Sequence, residues 1–151
     1  MAHHLFEKIA AKLSKQEGIE IPPKIHREME GEFIEYIDGK SLTVRFPVKQ
    51  KYQNPFGSMQ GGMIVAAIDC TYGPLAYLLA PPSVTTHINT TYIRPVTANE
   101  EYIDITATVV EMTKRQIHMR ADVKNSSGQL LAISHSSNTF IVPVRNNRTR
   151  E

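Results

Sequence analysis

The chain has 151 residues, 41% of them hydrophobic and 21% charged, with a net charge of +2. This length suits one domain with a real core, and a near-neutral chain with scattered basic residues is not a general nucleic-acid binder. A single cysteine, Cys70, excludes an internal disulfide framework and fits a reducing compartment, so a cytoplasmic location is expected. The start, Met-Ala-His-His-Leu-Phe-Glu-Lys, lacks the apolar core of a signal peptide.

In residues 3–16, Leu5, Ile9, Ala10 and Leu13 recur at helical spacing and predict a short amphipathic helix on the outside of the domain. Pro22-Pro23 opens an irregular link in which His26 is expected at the surface. Glu32–Ile37 and Ser41–Val48 alternate as strands, joined by the hairpin turn Asp38-Gly39. After a polar loop, a long apolar helix is expected from about Met59 to Leu79, with Pro74 kinking or breaking it. Its apolar part, Met63 to Leu79, is at the low edge for a membrane span and contains Asp69, Gly73 and Pro74, so a buried helix is the better reading. Four strand-like runs follow: Val84–Arg94, Tyr102–Met112, Arg115–Lys124 and Leu130–Val142.

Short turns between these runs imply an antiparallel sheet. The expected fold is α+β: about six antiparallel strands wrapped around one long central helix, with an extra N-terminal helix. Residues 1–29 are then an N-terminal helix and linker, 30–142 the main domain, and 143–151 a flexible tail with Arg145, Arg148 and Arg150.

The stretch Asn54 to Asp69 carries the chemistry. Gly61 and Gly62 open the long helix, and a helix start offers free N–H groups and a positive dipole end. Those suit a carbonyl oxygen that is gaining charge. Asp69 is a lone carboxylate among Ala66, Ala67, Ile68 and Cys70, which is costly without a partner or a task. Together they suggest attack on a carbonyl. Asp69 lies eight residues past Gly61, which is ~12 Å of helix at ~1.5 Å per residue. A base must act within roughly 3 Å of its proton, or through one water. One chain cannot easily bring both groups to one carbonyl, whereas two antiparallel helices about a two-fold axis can, so a homodimer with two shared sites is expected. No histidine or cysteine spacing suggests a metal site. Cys70 reads as an inert buried thiol, and His87, His118 and His135 as strand-surface residues.

These residues resemble the hot-dog-fold acyl-CoA thioesterases, in particular the PaaI-like branch near the 4-hydroxybenzoyl-CoA thioesterases. Asn54, Gln60-Gly61-Gly62 and Asp69 match that family's asparagine, His-Gly-Gly and acidic positions in spacing. Val84 to Pro95 is similar to its next strand, and Ser127-Gly128-Gln129 also fits; the similarity spans about residues 30–142. The resemblance implies hydrolysis of acyl-CoA to free acid and CoA, with no cofactor beyond the CoA of the substrate. It implies Asp69 as nucleophile or general base, the Gly61 N–H polarising the thioester carbonyl, Asn54 orienting water or substrate, and Thr85 close to the acidic residue. It implies that Gly62 and the turn Thr113-Lys114-Arg115-Gln116 bind substrate, the two cations suiting CoA phosphates. Hot-dog dimers often pair again, so a dimer of dimers is expected.

Gln60 departs from the family by replacing its histidine. Glutamine keeps hydrogen-bonding capacity but cannot become a cation or shuttle a proton. That feature favours a second reading, a non-catalytic acyl-CoA or lipid-binding module on the same scaffold. A dehydratase acting on 3-hydroxyacyl thioesters ranks below both, because such sites pair a histidine with the acid and none stands at that spacing here.

Overall fold

The computed structural model describes residues 2–141. The elements run α1 (Ala2–Leu13), α2 (Lys24–Glu28), β1 (Glu32–Ile37), β2 (Ser41–Pro47), α3 (Gly61–Leu79), β3 (Ser83–Tyr92), β4 (Tyr102–Met112), β5 (Gln116–Asn125) and β6 (Leu130–Phe140), with a 3-10 turn at Gln50–Tyr52. The six strands form one antiparallel sheet in the order β1-β2-β4-β5-β6-β3. This is the α+β arrangement expected: six strands, one long helix and an N-terminal helix. Val142 and the tail with Arg145, Arg148 and Arg150 lie outside the described residues.

Alternation sets which face of the sheet is buried. Leu42, Val44 and Phe46 of β2, Ile103, Ile105 and Ala107 of β4, and Ile117, Met119, Ala121 and Val123 of β5 are all buried. Ile64, Ala67, Ile68, Thr71, Tyr72 and Leu75 of α3 join them, and α3 lies against β2, β3, β4, β5 and β6. The opposite face is polar: Thr43 and Thr106 share a 2.8 Å hydroxyl contact, and Arg45 forks onto Asp104 at 2.8 Å under the ring of Tyr102. Asp38-Gly39 makes the β1–β2 turn with Gly39 at φ +71°, as expected. In α1, Leu5, Ile9 and Leu13 are buried against α3 whereas Ala10 is exposed.

Three expectations change. Pro74 does not break α3, which continues to Leu79. The proline removes one backbone donor, and burial of Leu75, Ala76 and Leu78 holds the last turn in place. Chain order does not give the pairing of β3: it lies beside β6 at the far edge, and the segment after Tyr92 crosses back to β4. Finally, His26 is not a surface residue of an irregular link. It sits in α2, which starts straight after Pro23, and is 3% exposed.

Candidate active site

The loop before α3 is shaped by Asn54. Its side-chain Oδ1 accepts the N–H groups of Phe56 (2.9 Å) and Ser58 (3.1 Å), and Gly57 turns the chain at φ +79°. The Asn54 N–H donates to the Ser58 carbonyl at 2.7 Å, and the Gln60 N–H to the Tyr52 carbonyl at 2.7 Å. Gln60 then stands at the N-cap of α3, exposed and with no side-chain hydrogen bond to the helix. Among the described residues, the N–H groups of Gly61 and Gly62 donate to nothing. They remain available to an acceptor at the positive end of a long helix.

The two glycines have different reasons to be glycine. The Tyr92 hydroxyl donates to the Gly61 carbonyl at 2.8 Å. A methyl at Gly61 would lie 3.0 Å from that hydroxyl oxygen, whereas one at Gly62 would meet nothing within 4 Å. Asn54, Gly61, Tyr92 and Arg94 border an open groove of about 460 Å³. Arg94 also donates to the Leu130 carbonyl at 2.8 Å.

Asp69 lies further along the same helix, at the rim of a different cavity of about 280 Å³. Its carboxylate is exposed and accepts the Thr85 hydroxyl on Oδ1 at 3.1 Å. Thr85 is therefore next to the acidic residue, as the resemblance implies. Cys70, Gly73, Pro74 and Tyr77 of α3 form one wall of this cavity, and Phe6, Ile9, Ile25 and His26 from α1 and α2 form the facing wall. Burial, then the neighbouring Asp69 charge, pushes the Cys70 thiol up to about 11. It stays protonated at neutral pH, which agrees with an inert thiol.

His26 is enclosed by the rings of Phe6, Phe33 and Phe46 at centroid distances of 5.4, 5.5 and 6.1 Å. Its Nε2 lies 3.1 Å from the Gly31 carbonyl. A Cβ at Gly31 would sit 2.8 Å from the imidazole and 2.7 Å from Phe46, so that glycine makes room for the ring. Burial lowers the imidazole below its ordinary value, with the Gly31 and Cys70 carbonyls partly offsetting it.

The turn Thr113–Gln116 is tied by the Thr113 hydroxyl, which accepts the N–H groups of Arg115 (3.2 Å) and Gln116 (3.0 Å). Lys114 and Arg115 are exposed. Gln116 pairs with Thr139, and Thr139 with Val84. The turn therefore shares its end of the sheet with Thr85 and Asp69, and in one chain it does not border the groove at Gly61.

Asp69 and Thr85 thus come together, and so do Asn54 and Gly61, but the two pairs line separate cavities. Gly62, Ala66 and Asp69 follow one another along one side of α3, with Gly62 and Asp69 exposed and Ala66 half-buried. His26, Ser83 and Asn138 also border the cavity at Asp69, yet nothing local in sequence marks them. They arrive through tertiary packing and through the pairing of β3 with β6. Among the described residues, no three His, Cys, Asp or Glu side chains are grouped as metal ligands.

The model of the thioesterase superfamily matches residues 56–132 of this chain, a segment that includes Gly61, Asp69 and Thr85. No curated protein matches the sequence. Among solved structures, the E. coli PaaI protein from the phenylacetic acid degradation operon superposes with a TM-score of 0.76 at 16% identity, covering 91% of this chain and 96% of that one. Thioesterase superfamily member 2 from Mus musculus gives 0.72 at 20% identity over 92% and 96%. The smu.793 protein of Streptococcus mutans, solved with acetyl-CoA, gives 0.70 at 17% over 83% and 94%. At these identities the structural likeness is one of fold, the hot-dog fold, and with the sequence match over more than half its length this chain belongs to the thioesterase superfamily.

Proposed function

We propose that this protein hydrolyses acyl-CoA thioesters to a free acid and CoA, at sites shared between two copies of the chain. One observation carries the reading. A carboxylate held by Thr85 and a helix start with two unused N–H groups lie on the same helix, each at its own cavity. Separated by eight residues, ~12 Å of helix, they cannot serve one carbonyl in one chain. A two-fold axis that brings the Gly62–Asp69 sides of two α3 helices together would seat the Gly61 end of one copy at the Asp69 of the other.

At such a site the thioester oxygen would accept the Gly61 N–H, and Asp69 would act on the carbonyl carbon either through a water whose proton it takes or directly, in which case water then opens the mixed anhydride to free the acid and restore the carboxylate. As the C–S bond breaks, the electron pair leaves on the CoA sulfur, which recovers a proton to become the free thiol. Developing negative charge on the oxygen is held by donors already in place, usually a large part of such catalysis. Lys114 and Arg115, at the Asp69 end of the sheet, suit the phosphates of CoA. The neighbours solved with CoA or acetyl-CoA support this ligand class. The reaction calls for no cofactor beyond the CoA of the substrate, fits a cytoplasmic enzyme, and is compatible with a dimer or a dimer of dimers.

The test is CoA release from a panel of acyl-CoAs, followed with a thiol reagent, with Asp69→Ala beside the wild type. Multiple turnover by the wild type, lost in the variant, sustains the reading. Turnover that survives Asp69→Ala sinks it. The exposed Gln60 side chain, which makes no bond to the helix it caps and cannot shuttle a proton, favours a second reading as a binding module. Saturable acyl-CoA binding without turnover, together with hydrolysis gained by Gln60→His, would identify that case.

A further inference from the structure

The start of α3 lacks what usually holds a helix start. Gln60 at its N-cap makes no side-chain hydrogen bond to the helix, no acidic residue stands in the first turn, and the first two residues are both glycine. A capping side chain and a first-turn carboxylate normally secure this end, and glycine is among the poorest helix formers. The Gln60 carbonyl is also shared, between the N–H groups of Met63 (2.9 Å) and Ile64 (3.2 Å). Yet donors that stabilise a developing oxyanion work only when they are already in place. A start this loosely built needs a hold from outside the helix.

Tyr92 supplies one. Its hydroxyl donates to the Gly61 carbonyl at 2.8 Å, across 31 positions of sequence. The residue is itself fastened to the sheet. It pairs with Ala132 of β6, the next two N–H groups, of Ile93 and Arg94, donate to the Leu131 carbonyl at 2.8 and 3.0 Å, and the Arg94 guanidinium donates to the Leu130 carbonyl at 2.8 Å. Partial burial raises the phenol above its ordinary value, so at neutral pH it keeps the proton it donates. The Gly61 carbonyl and the Gly62 N–H belong to one peptide unit. A hydrogen bond accepted by that carbonyl polarises the unit and strengthens its N–H as a donor. Resting on the hydrolase reading above, we infer that Tyr92 is a positioning residue, tying the Gly61–Gly62 start of α3 to the sheet so that both free N–H groups are set before the thioester oxygen arrives. Tyr92 touches no reacting atom; it acts through the glycines.

The test is Tyr92→Phe, which keeps the ring and deletes the hydroxyl. With an acyl-CoA that the wild type hydrolyses, kcat should fall about 10–100-fold with KM within about twofold, the pattern of an interaction felt in the transition state. The pH profile of kcat should keep its shape, because the hydroxyl transfers no proton. A methyl at Gly61 would lie 3.0 Å from that hydroxyl oxygen, so Gly61→Ala and Tyr92→Phe disturb one contact. The second change should then cost far less than it does alone. An unchanged kcat, a lost limb of the pH profile, or full additivity with Gly61→Ala overturns the inference. Amide relaxation at Gly61 and Gly62, measured by NMR in the wild type and Tyr92→Phe, needs no turnover. Order parameters should drop from about 0.85 toward about 0.6 in the variant, and unchanged values overturn the inference whatever the kinetics. If the wild type hydrolyses no acyl-CoA, the hydrolase reading falls; the tie to the sheet stands if the order parameters drop and falls with it if they do not.

Discussion

The start and the middle of α3 are built in opposite ways. At Asp69 the chain encloses its cavity, with the N-terminal segment on one side and β3 and β6 at its base. At the glycine end the groove is open, Phe56 leaves 93% of its surface exposed, and two backbone donors have no acceptor. One region has a carboxylate at the rim of a cavity, and the other has backbone donors that the described residues leave unused. A single helix that displays complementary halves on one side suits completion by a second copy.

The strongest way to break this comparison is to separate the halves genetically. Asp69→Ala should lower turnover by roughly 10²–10⁴-fold, the usual weight of a positioned acid or base. Its fold should persist, since the side chain is exposed. Gly61→Ala forces a methyl against Tyr92 and should cost about 10²-fold, the lower end for a lost oxyanion donor. If the sites are shared, mixing these two inactive variants after dissociation and reassociation should restore about a quarter of wild-type activity, because half the dimers then hold one intact site. No recovery despite confirmed subunit exchange would place each site within one chain.

Stability measurements sharpen the comparison on a smaller scale. Asn54→Ala removes two hydrogen bonds to the loop and should cost about 1–3 kcal/mol in denaturant unfolding, at net values of ~0.5–1.5 kcal/mol for each bond.

The enclosed region should also show its own pH response. The His26 pKa is lowered in the folded chain, so below its ordinary value of about 6.5 the unfolded chain binds more protons. The stabilisation from neutral His26 is complete above that pH and is lost as the pH falls through the folded value. His26→Phe should flatten this part of a plot of unfolding midpoint against pH, and an unchanged slope would refute the assignment.

Most of the scaffold was legible because it obeys local rules. Alternation of Leu42, Val44 and Phe46, the Asp38-Gly39 turn, and a long apolar run opened by two glycines each state their structure within a few residues. The spacing of Asn54, Gln60 and Asp69 likewise marked the candidate site. The cavity beside Asp69 was not legible, because no local pattern encodes it. His26 looks like any link histidine until Phe6, Phe33 and Phe46, from three separate elements, surround it. Ser83 and Asn138 share a cavity only because β3 crosses to pair with β6. Of the two effects expected of Pro74, a break does not occur, because the residues after it are packed in the core.

The burial of Cys70 matters for a reaction whose leaving group is itself a thiol. Free CoA exchanges with disulfides, and a reactive cysteine beside the carboxylate would be open to capture as a mixed disulfide. With its pKa at about 11, Cys70 is thiolate in only about one molecule in 10⁴ at pH 7, and thiol–disulfide exchange proceeds through the thiolate. Under the proposed hydrolysis, CoA disulfide near the site would therefore meet a protonated Cys70 rather than a reactive thiolate.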